Sequence, residues 1–241
     1  MNFISASSLE PSSIFCVGKN YQRHAEEMLQ WETNNDNARR NAEKPEEPII
    51  FLKPAAALSR NGRVKVPHFH GKPISKNLHY ETELVVLIGK DAKNVTTENA
   101  MSFIDGYGVG LDMTLRDVQM DAKAKGEPWL KCKGFTSSAL VSDMVPVTRV
   151  INPETLVFDL SLNGVVVQEG KVEKMLFNIA ELISYLSYIY GLRAGDLLFT
   201  GTPEGVGKAN NGDVLHAELL QNDCCKSSAL LTTLDAIVET V

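Results

Sequence analysis

The sequence predicts an α+β fold with a β-rich core, on three observations. Short apolar runs ended by turn residues recur along the chain, an Asn-Gly pair joins two of them, and few stretches carry a helical period. Ile14-Phe-Cys-Val17 and Ile49-Ile-Phe-Leu52 are the first two runs. Glu83-Leu-Val-Val-Leu-Ile88 is longer, and Tyr107-Gly-Val-Gly-Leu111 is a fourth. From Asp112 to Lys123 the pattern reads as a helix. Leu156, Phe158, Leu160 and Leu162 alternate with more polar neighbours, and Asn163-Gly164 then leads into Val165-Val-Val167, a hairpin signal because both turn residues tolerate positive φ. Residues 178–190 predict a second helix. Asn178 caps it, Glu181 completes a capping box, Ile179, Ile183, Leu186 and Ile189 form its buried stripe, and Gly191 ends it. The polar stretch from Glu32 to Glu47 lacks apolar periodicity and predicts a mobile excursion within one domain of residues 1–241.

Composition narrows the class of partner. A chain of 241 residues can bury one sizeable core, and a net charge of −6 gives no electrostatic reason to expect nucleic acid or an anionic membrane. No apolar stretch has transmembrane length, and the first ten residues lack the basic and apolar regions of a secretory signal. A soluble intracellular protein is expected, in the cytoplasm or the mitochondrion. Cys16, Cys132, Cys224 and Cys225 show no paired spacing, which suits a reducing compartment. His68 and His70 have no zinc-type partners and read as loop histidines. Two glycine-rich stretches fail as nucleotide motifs: Gly201 to Ala209 has the wrong P-loop spacing and no hydroxyl after Lys208, and Gly106, Gly108 and Gly110 miss the dinucleotide pattern.

Three acids carry the chemistry. On a strand, side chains alternate between faces, so Glu81 and Glu83 point the same way and repel unless something positive lies between them. With Asp112 they make an all-oxygen set suited to a hard cation such as magnesium or manganese. The same spacing also describes the wet face of an edge strand. If 112–123 is helical, Asp112, Arg116 and Gln119 share a stripe, offering a carboxylate to a metal, a guanidinium to a substrate carboxylate and an amide to a carbonyl. His24 and Glu27, three apart, form a carboxylate-backed histidine able to activate water, or an ordinary surface pair. The Thr200-Gly-Thr202-Pro turn offers hydroxyls and amides to a carboxylate, or is a tight inter-strand turn.

Taken in order, Gly18-Lys-Asn-Tyr-x-x-His24-x-x-Glu27, Phe51-Leu-Lys53-Pro54, His79-Tyr-Glu81-Thr-Glu83-Leu, Gly110-Leu-Asp112-Met-Thr-x-Arg116-Asp-Val-Gln119, Lys133-Gly-Phe135 and Gly195-Asp-x-x-x-Thr200-Gly-Thr-Pro203-x-Gly-Val-Gly207 resemble the fumarylacetoacetate hydrolase family over nearly the whole chain. The resemblance is to its short eukaryotic branch of acylpyruvate hydrolases and oxaloacetate decarboxylases. It implies a homodimer of mixed β-roll subunits, Mg2+ or Mn2+ on Glu81, Glu83 and Asp112, a water-activating pair in His24 and Glu27, and an electrophilic cation in Lys133. It also implies substrate contacts from Arg116, Gln119 and Thr202. The expected reaction is C–C cleavage of small 2-oxo acids through a pyruvate enolate, with keto–enol isomerisation of oxaloacetate as the second expectation and a non-enzymatic oxo-acid-binding dimer as the third. Two departures stand out: the excursion 32–47 lengthens what is a ligand-ordered lid in the family, and Arg23 stands where the branch usually has an acid.

Overall fold

A computed structural model describes residues 3–33, 44–222 and 228–239. Its elements run in chain order as β1 (Ile14–Gly18), α1 (Gln22–Thr33), β2 (Ile49–Lys53), β3 (Arg63–Lys65), β4 (His68–Phe69), β5 (Lys72–Pro73), β6 (Leu78–Tyr80), β7 (Thr82–Ile88), α2 (Thr97–Ala100), β8 (Ile104–Asp112) and β9 (Thr114–Leu115). They continue with α3 (Arg116–Lys125), α4 (Leu130–Lys133), β10 (Ala139–Val141), β11 (Val145–Pro146), β12 (Leu156–Leu162), β13 (Val165–Lys171), α5 (Ile179–Ile189), β14 (Leu197–Phe199), β15 (Gly207–Lys208), β16 (Val214–Asn222) and β17 (Ser228–Glu239). The expected α+β fold with a β-rich core is the one observed. Most of the polar excursion, residues 34–43, lies outside the described residues, as do Cys224 and Cys225.

Two mixed sheets make the core. The larger has seven strands in the order β10-β8-β7-β14-β1-β2, with β11 also on β8; β1 and β14 are its one parallel pair. The smaller runs β13-β12-β16-β17-β3, antiparallel except between β17 and β3. Strand β7 is buried on both faces, which is why it reads as an unbroken apolar run. Leu84, Val86 and Ile88 face the main core with Phe158, Leu160, Ala217 and Leu219 of the second sheet, whereas Val85 and Leu87 face a smaller core with Ile14, Cys16, Ala139 and Phe199. Glu83 has the parity of Val85, so it stands on the rim of that smaller core.

The hairpin and the α5 cap form as the sequence indicates. Asn163 and Gly164 take φ of +51° and +82° between β12 and β13, and Asn178 and Glu181 close the capping box. Two expectations are corrected. Ile189 is 58% exposed and Leu182 takes its place on the buried stripe, because positions 179, 182, 183 and 186 follow the helical period more closely. The helix predicted from Asp112 starts at Arg116: β8 runs on through Asp112, which pairs with Ala139 of β10, so Asp112 is a strand residue and shares no helical stripe with Arg116 and Gln119. His68 and His70 are exposed on the β4–β5 hairpin. Among the described residues no helix is long and apolar enough to cross a membrane.

Strand β8 owes its glycines to close packing. A Cβ at Gly110 would lie 2.6 Å from Val85 Cγ2, 2.7 Å from Phe199 Cε1 and 2.8 Å from the Leu140 carbonyl oxygen. Gly110→Ala should therefore destabilise the protein by about 1–3 kcal/mol. Urea unfolding should show it as a lowered midpoint at unchanged slope.

Candidate metal centre and active site

The acids meet because two neighbouring strands end together. Glu81 sits at the break between β6 and β7, Glu83 is the second residue of β7, and Asp112 is the last of β8. Glu83 pairs with Gly110, and the Asp112 amide donates to the Glu81 carbonyl at 2.8 Å, so the ladder fixes the register of all three. Each is buried, at 4%, 1% and 0% exposure, and their ligand oxygens lie within 4.8 Å of one another. The alternative of a wet strand face is excluded by that burial.

Cations from three other elements surround the triad unevenly. Lys133, at the end of α4, places Nζ 2.7 Å from both Glu81 Oε2 and Asp112 Oδ2. Lys53, at the end of β2 and 1% exposed, lies 2.8 Å from Asp112 Oδ1. Arg116 pairs with Glu81 Oε1 and donates to Gln119 Oε1. Burial alone would raise the Glu81 carboxyl, but Lys133 and Arg116 hold it well below the usual carboxylate range. Burial also works against the Lys133 ammonium, and Asp112 and Glu81 more than offset it. Glu83 is the exception. Its Oε2 accepts from the Gly201 amide at 2.7 Å, yet burial, then Asp112 and Glu81, push its carboxyl well above the ordinary value.

These residues fit a divalent cation. The donors are all hard carboxylate oxygens, and the burial and neighbouring acids that raise the Glu83 carboxyl are what a cation beside it would offset. Asp112 Oδ1 is buried with no aligned hydrogen-bond donor among the described residues, since Lys53 reaches it as an ion pair and directs its hydrogen bonds to the carbonyls of Met113 and Lys133. Such an oxygen is available to a metal.

The remaining predicted residues converge on the same cleft. It is lined by His24, Met28, Phe51, Glu81, Glu83, Arg116, Gln119, Trp129, Lys133 and Thr202, among others. Asp112 is fully buried and meets the cleft through Lys133, and Glu27 stands behind His24, with its Oε2 3.3 Å from His24 Nδ1. His24 is 4% exposed, so the pair is no surface salt bridge. Helix α1 holds it there: Met28 Sδ lies 3.7 Å from an Arg116 nitrogen, and the Trp31 ring 5.7 Å from that guanidinium. Trp31 also packs edge-on against His79, whose pKa is lowered to about 4 by burial and then by Arg116. The Thr-Gly-Thr-Pro turn does bind a carboxylate, but it is that of Glu83, through Gly201.

Sequence reasoning gave no role to Lys53, Thr114 or Gln168. A lone lysine ending an apolar strand before proline was the one signal for Lys53. Thr114, whose hydroxyl donates to Glu81 Oε1 at 3.1 Å, and Gln168 gave none.

A buried oxygen triad, cations beside it and a carboxylate-backed histidine meet around one cleft, the layout of an enzyme active site. The family model for the fumarylacetoacetate (FAA) hydrolase C-terminal region matches residues 13–238, and the chain belongs to that family. It is 41% identical over 206 residues to the mitochondrial oxaloacetate tautomerase FAHD1 of Bos taurus, covering 85% of this chain and 86% of that one. The Arabidopsis thaliana tautomerase of the same name is 40% identical over 207 residues, 86% and 85% of the two chains. The crystal structure of Pseudomonas aeruginosa fumarylpyruvate hydrolase in complex with Mn2+ and pyruvate superposes with a TM-score of 0.76 at 33% identity, covering 97% of this chain and 91% of that one.

If the triad holds Mn2+, Glu83→Ala should remove most of the affinity, by about a hundredfold or more, since one of the three carboxylates of the group is lost. Titration calorimetry of the metal alone reads this. Saturating Mn2+ should raise the melting temperature of the unsubstituted protein and leave that of the variant nearly unmoved.

Proposed function

We propose that this protein is a divalent-metal-dependent enzyme of small 2-oxo acids, with keto–enol isomerisation of oxaloacetate as its reaction. The observation that carries the reading is the convergence of Glu81, Glu83 and Asp112 with Arg116, Lys133 and a buried His24 in one cleft. Its order of preference reverses the sequence-based expectation, in which C–C cleavage stood first. Support for that reversal comes from the Bos taurus and Arabidopsis thaliana relatives at 41% and 40% identity, which are named oxaloacetate tautomerases.

Mg2+ or Mn2+ on the triad would polarise the 2-oxo group and stabilise negative charge developing on its oxygen. Lys133 adds a fixed positive charge to the same cleft, kept protonated by Asp112 and Glu81. Arg116, Gln119 and Thr202 are the proposed contacts for substrate carboxylate and carbonyl oxygens. Arg116 already serves Glu81 and Gln119, but its buried Nε has no partner among the described residues, so a donor remains. With Nδ1–H donated to Glu27, His24 keeps Nε2 as its basic atom. In isomerisation that nitrogen would take the proton from C3 and pass it to the 2-oxygen, and the reverse transfer converts enol to ketone.

Hydrolysis of an acylpyruvate is the second reading, favoured by Glu27 behind His24 and by the likeness to fumarylpyruvate hydrolase. There Nε2 would take a proton from the water that attacks the distal carbonyl. A binding protein without catalysis would have no use for such a base. The working unit is proposed to be a homodimer of one-domain subunits, on the family resemblance, and light scattering checks it.

Purified protein with Mg2+, given enol oxaloacetate, keto oxaloacetate and acetylpyruvate in parallel, should act fastest on the enol–keto exchange. Turnover of acetylpyruvate alone would replace isomerisation by cleavage. His24→Ala should lower the favoured reaction by about a hundredfold or more while Mn2+ affinity is retained. Unchanged rates would leave His24 without a catalytic role.

A further inference from the structure

Strand β13 exposes valines and buries a glutamine. Val165 and Val166 are 66% and 54% exposed, whereas Gln168 is 2% exposed. The register explains the inversion: Ser161 pairs with Val166 and Leu160 with Gln168, which leaves Val167 as the extra residue of a β-bulge. Bulges re-aim the side chain that follows them. Here the re-aimed side chain is Gln168, which reaches the far side of the strand that carries the acids.

All of its amide atoms are in use. Oε1 accepts from the Thr82 amide, between Glu81 and Glu83, at 2.9 Å. Nε2 donates to Thr202 Oγ1 at 2.9 Å and to the Pro203 carbonyl at 3.1 Å. The orientation of the amide follows from its partners, because a backbone N–H can meet only the oxygen and a carbonyl only the nitrogen. The loop after Thr202 is held close enough for these bonds by Gly205, where a Cβ would come within 2.3 Å of the Val167 carbonyl oxygen.

This fixes the polarity of a hydroxyl. Thr202 Oγ1 accepts from Gln168, its proton has no acceptor among the described residues, and Thr202 lines the cleft. We infer that Gln168 is a positioning residue that makes Thr202 a hydrogen-bond donor toward the substrate, and so favours an acceptor-only carboxylate oxygen over a hydroxyl or ammonium at that place. The inference rests on the proposed role of Thr202 at the substrate carboxylate. It adds the residue that gives the hydroxyl its direction.

The test is a double-mutant cycle on oxalate binding to the Mn2+-loaded protein, read by calorimetry without turnover. Thr202→Val and Gln168→Met should each weaken oxalate by about tenfold, the loss of one hydrogen bond to a charged oxygen. The double variant should be no weaker than either single one to within about twofold, because both remove the same bond. Mn2+ affinity without oxalate should stay within about twofold throughout. Additive losses, or an Mn2+ affinity that falls with Gln168→Met, would show that Gln168 acts through the acids and would overturn the inference. Full-strength oxalate binding by Thr202→Val would instead remove Thr202 from the substrate contacts, and the inference with it. Should the methionine variant fail to fold, Gln168→Glu retains the bond to Thr82. Its oxalate affinity should then fall relative to the unsubstituted protein as pH rises and the new carboxyl ionises, and a constant ratio across pH would overturn the proposal.

Discussion

Crowding of like charge is the constraint on which the structure turns. Three carboxylates whose ligand oxygens lie within 4.8 Å of one another are buried where water cannot screen them. At an effective dielectric constant near 20, a pair of unit charges 4 Å apart repels by about 4 kcal/mol, so the uncompensated triad would cost on the order of a domain's whole stability. Lys53 from β2, Lys133 from α4 and Arg116 from α3 answer that cost. The packing of those three elements around the ends of β7 and β8 therefore belongs to the electrostatics as much as to the apolar core.

Compensation is not shared equally, and that inequality gives the site its chemical character. Glu81 touches Lys133 and Arg116 and takes a third hydrogen bond from Thr114, while Glu83, one strand period away, has a single backbone amide. Burial with so little compensation raises the Glu83 carboxyl, whereas Lys133 and Arg116 lower that of Glu81.

Much of this was legible in the chain. Alternation put Glu81 and Glu83 on one face, the Asn178 and Glu181 pair marked α5, and Asn163-Gly164 marked the hairpin, because each depends on neighbours in sequence. What failed depended on distant partners. Asp112 looked helical because its local pattern continues into α3, whereas pairing with Ala139 of β10 keeps it in a strand. Lys53 acquires its role only when β2 is laid against β1, which brings it under Asp112. Gln168 was unreadable for a further reason: a run of three valines argues for an apolar inner face, and one unpaired residue reverses that argument.

The bare face of β8 bears on how such a sequence can drift. Gly106, Gly108 and Gly110 let Met144, Val85 and Phe199 rest directly on the strand's backbone, so part of the smaller core is seated on main chain that leads straight to Asp112. A methyl group added there must push a neighbour aside or displace the strand, and the strand ends at Asp112. Three residues without chemistry of their own thus limit which substitutions leave the acid site undisturbed, although none of them bears a charge.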